Sequence, residues 1–188
     1  MESILQKDKQ LLIYLNNLGS EQWDSFWLVL TNQLYWTPLF VFIIYLVIKS
    51  FGWKRGGFMI LSMIVLVAFS DQFANLIKNT TARLRPNNDL EIRHLLRHLL
   101  NPQSYSFVSG HATTSTFFTV FSILLLKENY KYISFLFFFP LIFAYSRLYL
   151  GVHYPLDIFI GIIIGILLGK SYYYFFKKID KRLFFTAQ

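Results

Sequence analysis

Two long stretches of the chain carry no charge: no Asp, Glu, Lys or Arg occurs from Ser25 to Ile48 or from Gly56 to Ser70. Uncharged apolar runs of that length read as membrane helices, because a bilayer core of about 30 Å requires about 20 mainly apolar residues per helix. Of the 188 residues 55% are hydrophobic and 15% are charged, whereas soluble domains carry roughly 25% charged residues. The apolar content excludes disorder, and 9 Gly with 5 Pro exclude collagen-like or linker architectures. With 0 Cys there is no disulfide framework, thiolate nucleophile or thiolate zinc site.

Five segments meet the spanning requirement: 33 to 49, 57 to 77, 106 to 126, 132 to 149 and 156 to 176. The expected fold is all-α, a polytopic bundle of five transmembrane helices forming one domain over 1–188. Upstream, Leu11, Leu12, Tyr14, Leu15 and Leu18 recur near helical spacing in a segment broken by Gly19, Glu21 and Asp24. That pattern reads as one or two amphipathic interfacial helices, with a broken sixth span as the alternative. Met1 to Asp8 has an early acid and lacks the basic start and apolar run of a cleaved leader, so no processing is expected.

The net charge of +8 would suggest nucleic acid for a soluble protein, but here anionic membrane lipid is the simpler partner. Lys49, Lys54 and Arg55 link the first two spans, Lys127 and Lys131 link the third and fourth, and Lys177, Lys178, Lys181 and Arg182 follow the fifth. Five alternating spans put all three groups on one side, which the positive-inside rule makes cytoplasmic. The opposite side therefore faces outward and receives the end of span two, the loop 79–105, the start of span three and the turn between spans four and five.

The reactive residues fall on that outer side. Lys78, Arg83 and Arg85 close span two, Ser109, Gly110 and His111 open span three, and Arg147, His153 and Asp157 bracket the last turn. A single cation at a helix end reads as a snorkelling anchor. Cations, histidines and a carboxylate meeting at one membrane depth read as a site, because ionisable groups near hydrocarbon cost a few kcal/mol each. Lys78, Arg85 and Arg147 can hold a phosphoryl group, Arg through a bidentate fork and Lys as a point charge. Gly110 permits close backbone approach, and a helix beginning near Ser109 aims free amides at the same anion. The result is a phosphate cradle with no metal or other cofactor. Asp157, four residues after His153, can orient that ring as a nucleophile, which leaves His111 as general acid.

These residues form motifs. Lys78 to Pro86 reads K-N-T-T-A-R-L-R-P, Ser109 to His111 reads S-G-H, and Ser146 to Asp157 reads S-R-L-Y-L-G-V-H-Y-P-L-D. In order and spacing they resemble the K-x6-R-P, P-S-G-H and S-R-x5-H-x3-D motifs of the type 2 phosphatidic acid phosphatase superfamily. The motifs at 78–86, 108–111 and 146–157, with the flanking helical pattern, extend the resemblance over most of the chain. It implies an integral membrane lipid phosphatase in which Lys78, Arg85 and Arg147 bind phosphate and Ser109 and Gly110 donate hydrogen bonds to it. His111 is then the general acid, His153 the nucleophile that forms a phosphohistidine, and Asp157 its orienting carboxylate. Val108 stands where the family usually has proline, which loosens the turn into the helix but removes no reactive group. Among lipid substrates, undecaprenyl diphosphate hydrolysed to undecaprenyl phosphate at the outer face is the first expectation. Lipid A phosphate, phosphatidylglycerophosphate and phosphatidate are the alternatives. A non-catalytic phospholipid-binding or transport protein is the rival of another class, and it would need the cations but not His111, His153 and Asp157.

Three further patterns are weaker. Asp71 lies seven residues, about two turns, before Lys78 and reads as an indirect partner behind that lysine or as a polar contact inside the bundle. Arg93, His94, Arg97 and His98 predict a short amphipathic helix over 89–100 with its basic face toward headgroups, with zinc at His94 and His98 as the alternative. Tyr172 to Phe176 reads as an interfacial aromatic belt.

Overall fold

Gly52 turns the chain back on itself. Its backbone has φ 71 and ψ 174, a left-handed conformation that glycine adopts without Cβ strain. A Cβ placed at Gly56 would lie 3.3 Å from Ile48 Cα and 3.3 Å from the Val47 carbonyl oxygen, so the chains entering and leaving the turn are in backbone contact. The first two expected spans are therefore the two arms of one helical hairpin, α3 (Thr37–Thr81).

The protein is described by a computed structural model covering residues 2–185; Met1 and residues 186–188 of the expected 1–188 domain lie outside the described residues. All regular structure among the described residues is helical. Besides α3 it comprises α1 (Glu2–Asn17), α2 (Glu21–Thr31), α4 (Gly110–Leu126), α5 (Phe138–Tyr149) and α6 (Pro155–Phe185). Short 3-10 turns at Gln33–Trp36 and Ile133–Phe137 lead into α3 and α5. The amphipathic N-terminal segment is thus two helices. Both α3 and α6 contain stretches long and apolar enough to cross a bilayer, while Gly110–Leu126 and Ile133–Tyr149 are shorter apolar helices. Leu61, Ile64, Val65, Phe69 and Leu76 are each more than half exposed along the second arm of α3, as are Phe159 and Leu167 on α6. In hydrocarbon that exposure costs nothing, because lipid tails are as apolar as the side chains.

Helix α4 is the axis of the bundle, buried along nearly its whole length, with α3, α5 and α6 packed around it. Its contact with α6 is made by Gly161, Gly165 and Gly169, one residue per turn. A Cβ at Gly165 would sit 2.7 Å from both the Thr113 carbonyl oxygen and Thr116 Cβ, and one at Gly169 2.8 Å from Val120 Cβ. Small residues at this spacing let two backbones approach closely, which maximises packing where no hydrophobic effect drives association.

The basic end is tied together by Arg55, which makes a 2.6 Å ion pair with Asp180, and by a 3.2 Å hydrogen bond between Ser50 and Tyr130. The links around 50–55 and 127–131 and the end of α6 thus share one end of the bundle, as the charge pattern predicts.

Two expectations are corrected. Residues 89–100 do not form an amphipathic helix; only the three-residue turn Arg93–Leu95 is present. The reason is that α1 takes their backbone groups: Asn16 accepts from Arg97 N at 2.7 Å and donates to Arg97 O at 3.3 Å, and Asn17 donates to Leu95 O at 3.1 Å. His98 is hydrogen-bonded to the Arg93 carbonyl within the same loop. The aromatic run is split as well. Phe176 is buried and Tyr172 packs edge-on against Phe117 and donates to Ser62 O at 3.0 Å, while Tyr174 and Phe175 remain on the surface.

Helix propensity and close packing make opposite demands on two of these glycines. Gly57 has nothing within 4 Å of a Cβ, so Gly57→Ala should stabilise by up to about 1 kcal/mol. Gly165→Ala should destabilise by about 1–3 kcal/mol despite the same propensity gain. Thermal unfolding of the detergent-solubilised protein measures both; shifts of the same sign would refute the close-packed α4–α6 contact.

Candidate active site

The sequence clusters converge at the end of the bundle opposite Arg55. Helix α3 stops there because Ala82 takes a left-handed conformation, its amide donating to the Lys78 carbonyl at 2.9 Å. Lys78, in that last turn, reaches across to the start of α4, where a Cβ on Gly110 would lie 3.3 Å from its Nζ. Ser109 caps α4, its Oγ accepting from Ala112 N at 3.4 Å. Its own amide donates to the Asp157 carbonyl at 3.1 Å, joining the starts of α4 and α6. The first amides of α4, at Gly110 and His111, have no acceptor inside the helix.

Arg85 is fixed by three oxygens before it reaches the site. Nε donates to Ser104 O at 2.7 Å, Nη2 to Ser104 Oγ at 2.9 Å, and Nη1 to Val152 O at 2.9 Å. Nη1 also lies 3.2 Å from His153 Nε2. Arginine can only donate, so Nε2 is the acceptor and the ring proton sits on Nδ1. That nitrogen faces Asp157 Oδ2 at 3.4 Å. His153 therefore presents a lone pair at Nε2, the form required of a nucleophile. Burial first, then the charges of Arg85, Arg147 and Lys78, push the imidazole well below its ordinary value and keep it neutral. Burial lowers Arg85 to about 10, which leaves it charged at neutral pH.

Arg147, on the last turn of α5, is buried, and its Nη1 donates to Thr31 Oγ1 at the end of α2. Its Nε has no acceptor among the described residues. A buried guanidinium donor left open is the position an anion would fill. His111 stacks at 4.9 Å, tilted, on Phe143 and feels the charges of Arg147, Lys78 and Arg85. It also stands at one end of an apolar cavity of about 470 Å³ between the two arms of α3, α4 and α5, lined among others by Trp36, Phe40, Ile60, Met63 and Phe118.

All eight site residues predicted from sequence thus gather here: Lys78, Arg85, Ser109, Gly110, His111, Arg147, His153 and Asp157. The arrangement places three cations and a helix N-terminus around an oriented, neutral imidazole. It can bind a phosphoryl group and offer it a nucleophile. Val108 is fully buried just before the cap. Asp71 accepts from Asn75 at 3.2 Å, within its own helix. Sequence reading missed the supports, Ser104 under Arg85, Thr31 under Arg147 and Asp8 near Asp157, and grouped Arg83 with the other outer cations without its bond to Asp157. Asp8 has a detectable signal, an acid on a helix otherwise read as interfacial, but its partners lie too far along the chain for spacing to reveal them.

A sequence profile described as the PAP2 superfamily matches residues 56–181. The chain is 32% identical over 187 residues to a protein of Bacteroides thetaiotaomicron named lipid A 4'-phosphatase, covering 97% of this chain and 83% of that one. It is 31% identical over 112 residues to an undecaprenyl-diphosphatase of Sulfolobus acidocaldarius, covering 60% of this chain and 50% of that one. Its fold is similar to the crystal structure of a transmembrane PAP2 type phosphatidylglycerolphosphate phosphatase from Bacillus subtilis, with a TM-score of 0.72 at 20% identity over 95% of this chain and 89% of that chain.

If the cations form a cradle, inorganic phosphate or vanadate should raise the unfolding temperature of the wild-type protein in detergent. At a ligand concentration 100-fold above Kd the stabilisation is about 2.7 kcal/mol. Arg85→Met and Arg147→Met should each lose most of that shift. An equal shift in the variants would place anion binding elsewhere.

Proposed function

Because the chain belongs to the PAP2 superfamily and is an integral membrane lipid phosphatase, we propose that it removes a phosphate from lipid A through a phosphohistidine on His153. The observation that carries this reading is the His153 ring, its Nε2 lone pair set against Arg85 and its Nδ1 against Asp157. A phospholipid-binding or transport protein has no use for a nitrogen held in that state.

The proposed chemistry follows from the geometry. Phosphate oxygens replace His153 Nε2 as the acceptor of Arg85 and satisfy Arg147 Nε, while Lys78 and the first amides of α4 take the remaining negative charge. Nε2 attacks phosphorus, and the bond from phosphorus to the lipid oxygen breaks. His111 gives that oxygen its proton. The imidazolium character gained at His153 is balanced by Asp157. His111, now a base, takes a proton from water as the water oxygen attacks phosphorus, and inorganic phosphate leaves with neutral His153 restored.

Substrate choice rests on the tail and on relatives. The apolar cavity beginning at His111 suits an acyl chain next to the leaving oxygen. The relative matched over 97% of the chain is named for lipid A, and the one named for undecaprenyl diphosphate is matched over 60%. Lipid A phosphate therefore displaces undecaprenyl diphosphate, the first expectation from sequence, which becomes the second reading; phosphatidylglycerophosphate and phosphatidate follow. We place the site on the periplasmic side of the inner membrane, since the nine flanking cations counted above gather at the other end.

Purified protein in detergent, given a panel of these lipids, should release phosphate from lipid A most efficiently and should do so unchanged in the presence of a chelator. A preference for undecaprenyl diphosphate would reverse the two readings. Loss of activity on chelation, with recovery on adding zinc or magnesium, would overturn the metal-free cradle.

The sidedness is tested separately. A cysteine at Asn88 should react with an impermeant reagent in cells whose outer membrane has been permeabilised, and one at Trp53, beside Gly52, should not; the reverse pattern would put the site in the cytoplasm.

A further inference from the structure

Asp157 is held by more than its own turn. Its Oδ2 accepts from Tyr154 N at 2.9 Å and faces His153, while its Oδ1 accepts from Arg83 Nη1 at 2.7 Å. The other arm of that guanidinium, Nη2, donates at 2.7 Å to Asp8, 75 residues earlier on α1. The flat face of Arg83 packs on the Tyr154 ring at 3.9 Å. Asp8 uses its second oxygen to accept from Leu156 N at 2.8 Å, one of the free amides at the start of α6. Two buried carboxylates, 4% and 0% exposed, thus share one arginine and one helix terminus.

We propose that Asp8 and Arg83 are positioning residues for the phosphatase reaction, holding Asp157 and through it the His153 ring in the attacking orientation. The proposal rests on the reading of His153 as nucleophile.

Arg83 differs from Arg85 and Arg147 in where its donors go. Both of its Nη atoms are engaged by carboxylates, so its charge neutralises the buried acids and is not offered to a phosphate. That engagement leaves Asp157 one oxygen for His153 and prevents the carboxylate from turning. An unpaired Asp157 at zero exposure would instead gain a proton or rotate toward another donor. Asp8 stops Arg83 from swinging away, because a guanidinium fixed at both ends and stacked on a ring has one orientation. Helix α1 is therefore a strut for the nucleophile as well as a membrane-surface helix.

The test uses full-length protein in detergent, with an activated aryl phosphate to keep slow variants measurable. Asp8→Asn should lower kcat by about 10-fold to 100-fold, the usual range for a group that orients a reactive ligand, with KM nearly unchanged. Phosphate should still raise its unfolding temperature. Introduced into Asp157→Asn, the same change should cost nothing further, because its route of action is already gone. Asn17→Ala, which cuts the separate bond from α1 to Leu95 O, should leave kcat at the wild-type value. If Asp8→Asn does not fold, Arg83→Gln runs the same cycle. Wild-type kcat in Asp8→Asn or Arg83→Gln, losses that multiply with Asp157→Asn, or an equal loss in Asn17→Ala would overturn the proposal and leave a merely structural tie. Full activity in His153→Ala, made with Asp8 and Arg83 intact, would instead overturn the nucleophile reading itself.

Discussion

Everything at the site depends on how closely α4 and α6 approach. In a bilayer the hydrophobic effect does not press helices together, so contact must come from packing and from hydrogen bonds in a medium without water. Gly161, Gly165 and Gly169 remove the side chains that would separate the two backbones. The approach lets the Ser109 amide reach the Asp157 carbonyl at 3.1 Å. That one bond brings the N-terminus of α4, with its Gly110 and His111 amides, beside the turn that carries His153. A wider α4–α6 spacing would leave the same residues in the sequence and no common site.

Charge at the site is arranged in two halves of opposite sign. On one side Asp8, Asp157 and Arg83 form a cluster with two negative charges and one positive. On the other, the charges of Lys78, Arg85 and Arg147 act on one another. Three cations in a partly dry space repel one another, and the repulsion is relieved by a phosphoryl group and further relieved as negative charge builds on it during transfer. His153 lies at the boundary, its Nδ1 toward the acidic half and Nε2 toward the basic half. The field across the ring favours the tautomer with its lone pair at Nε2, the one the proposed attack requires, so the orientation of the ring follows from the division of charge.

The eight residues that gather at the candidate site were legible because short motifs carry them and because charge near hydrocarbon is rare enough to stand out. The five spans were legible for the same reason, although nothing in local hydropathy distinguishes two separate helices from a hairpin closed at Gly52. What could not be read were the long-range bonds. The backbone of 89–100 shows helical spacing, yet Asn16 and Asn17 capture its amides and carbonyls, and a tertiary partner prevails over a local preference. Arg83 looked like one more cation at a helix end until Asp8 arrived from α1. The glycine repeat of α6 was present in the sequence at one residue per turn, but its meaning depends on the facing helix.

The two ends of a lipid phosphate are handled by different parts of this chain. The candidate phosphate site lies within 78–157, where Arg85, His153 and Asp157 are held by hydrogen-bond partners. The proposed place for the tail is the cavity between the arms of α3, α4 and α5, where most of the walls are apolar side chains. His111 belongs to both, lining the cavity while standing in the cation field. Under the proposed mechanism, a substrate whose tail fills the cavity has its leaving oxygen placed at His111, and with it the distance from phosphorus to His153. Selection among lipid phosphates therefore acts on kcat as well as on binding, because a tail that seats badly misplaces the oxygen that must receive the proton.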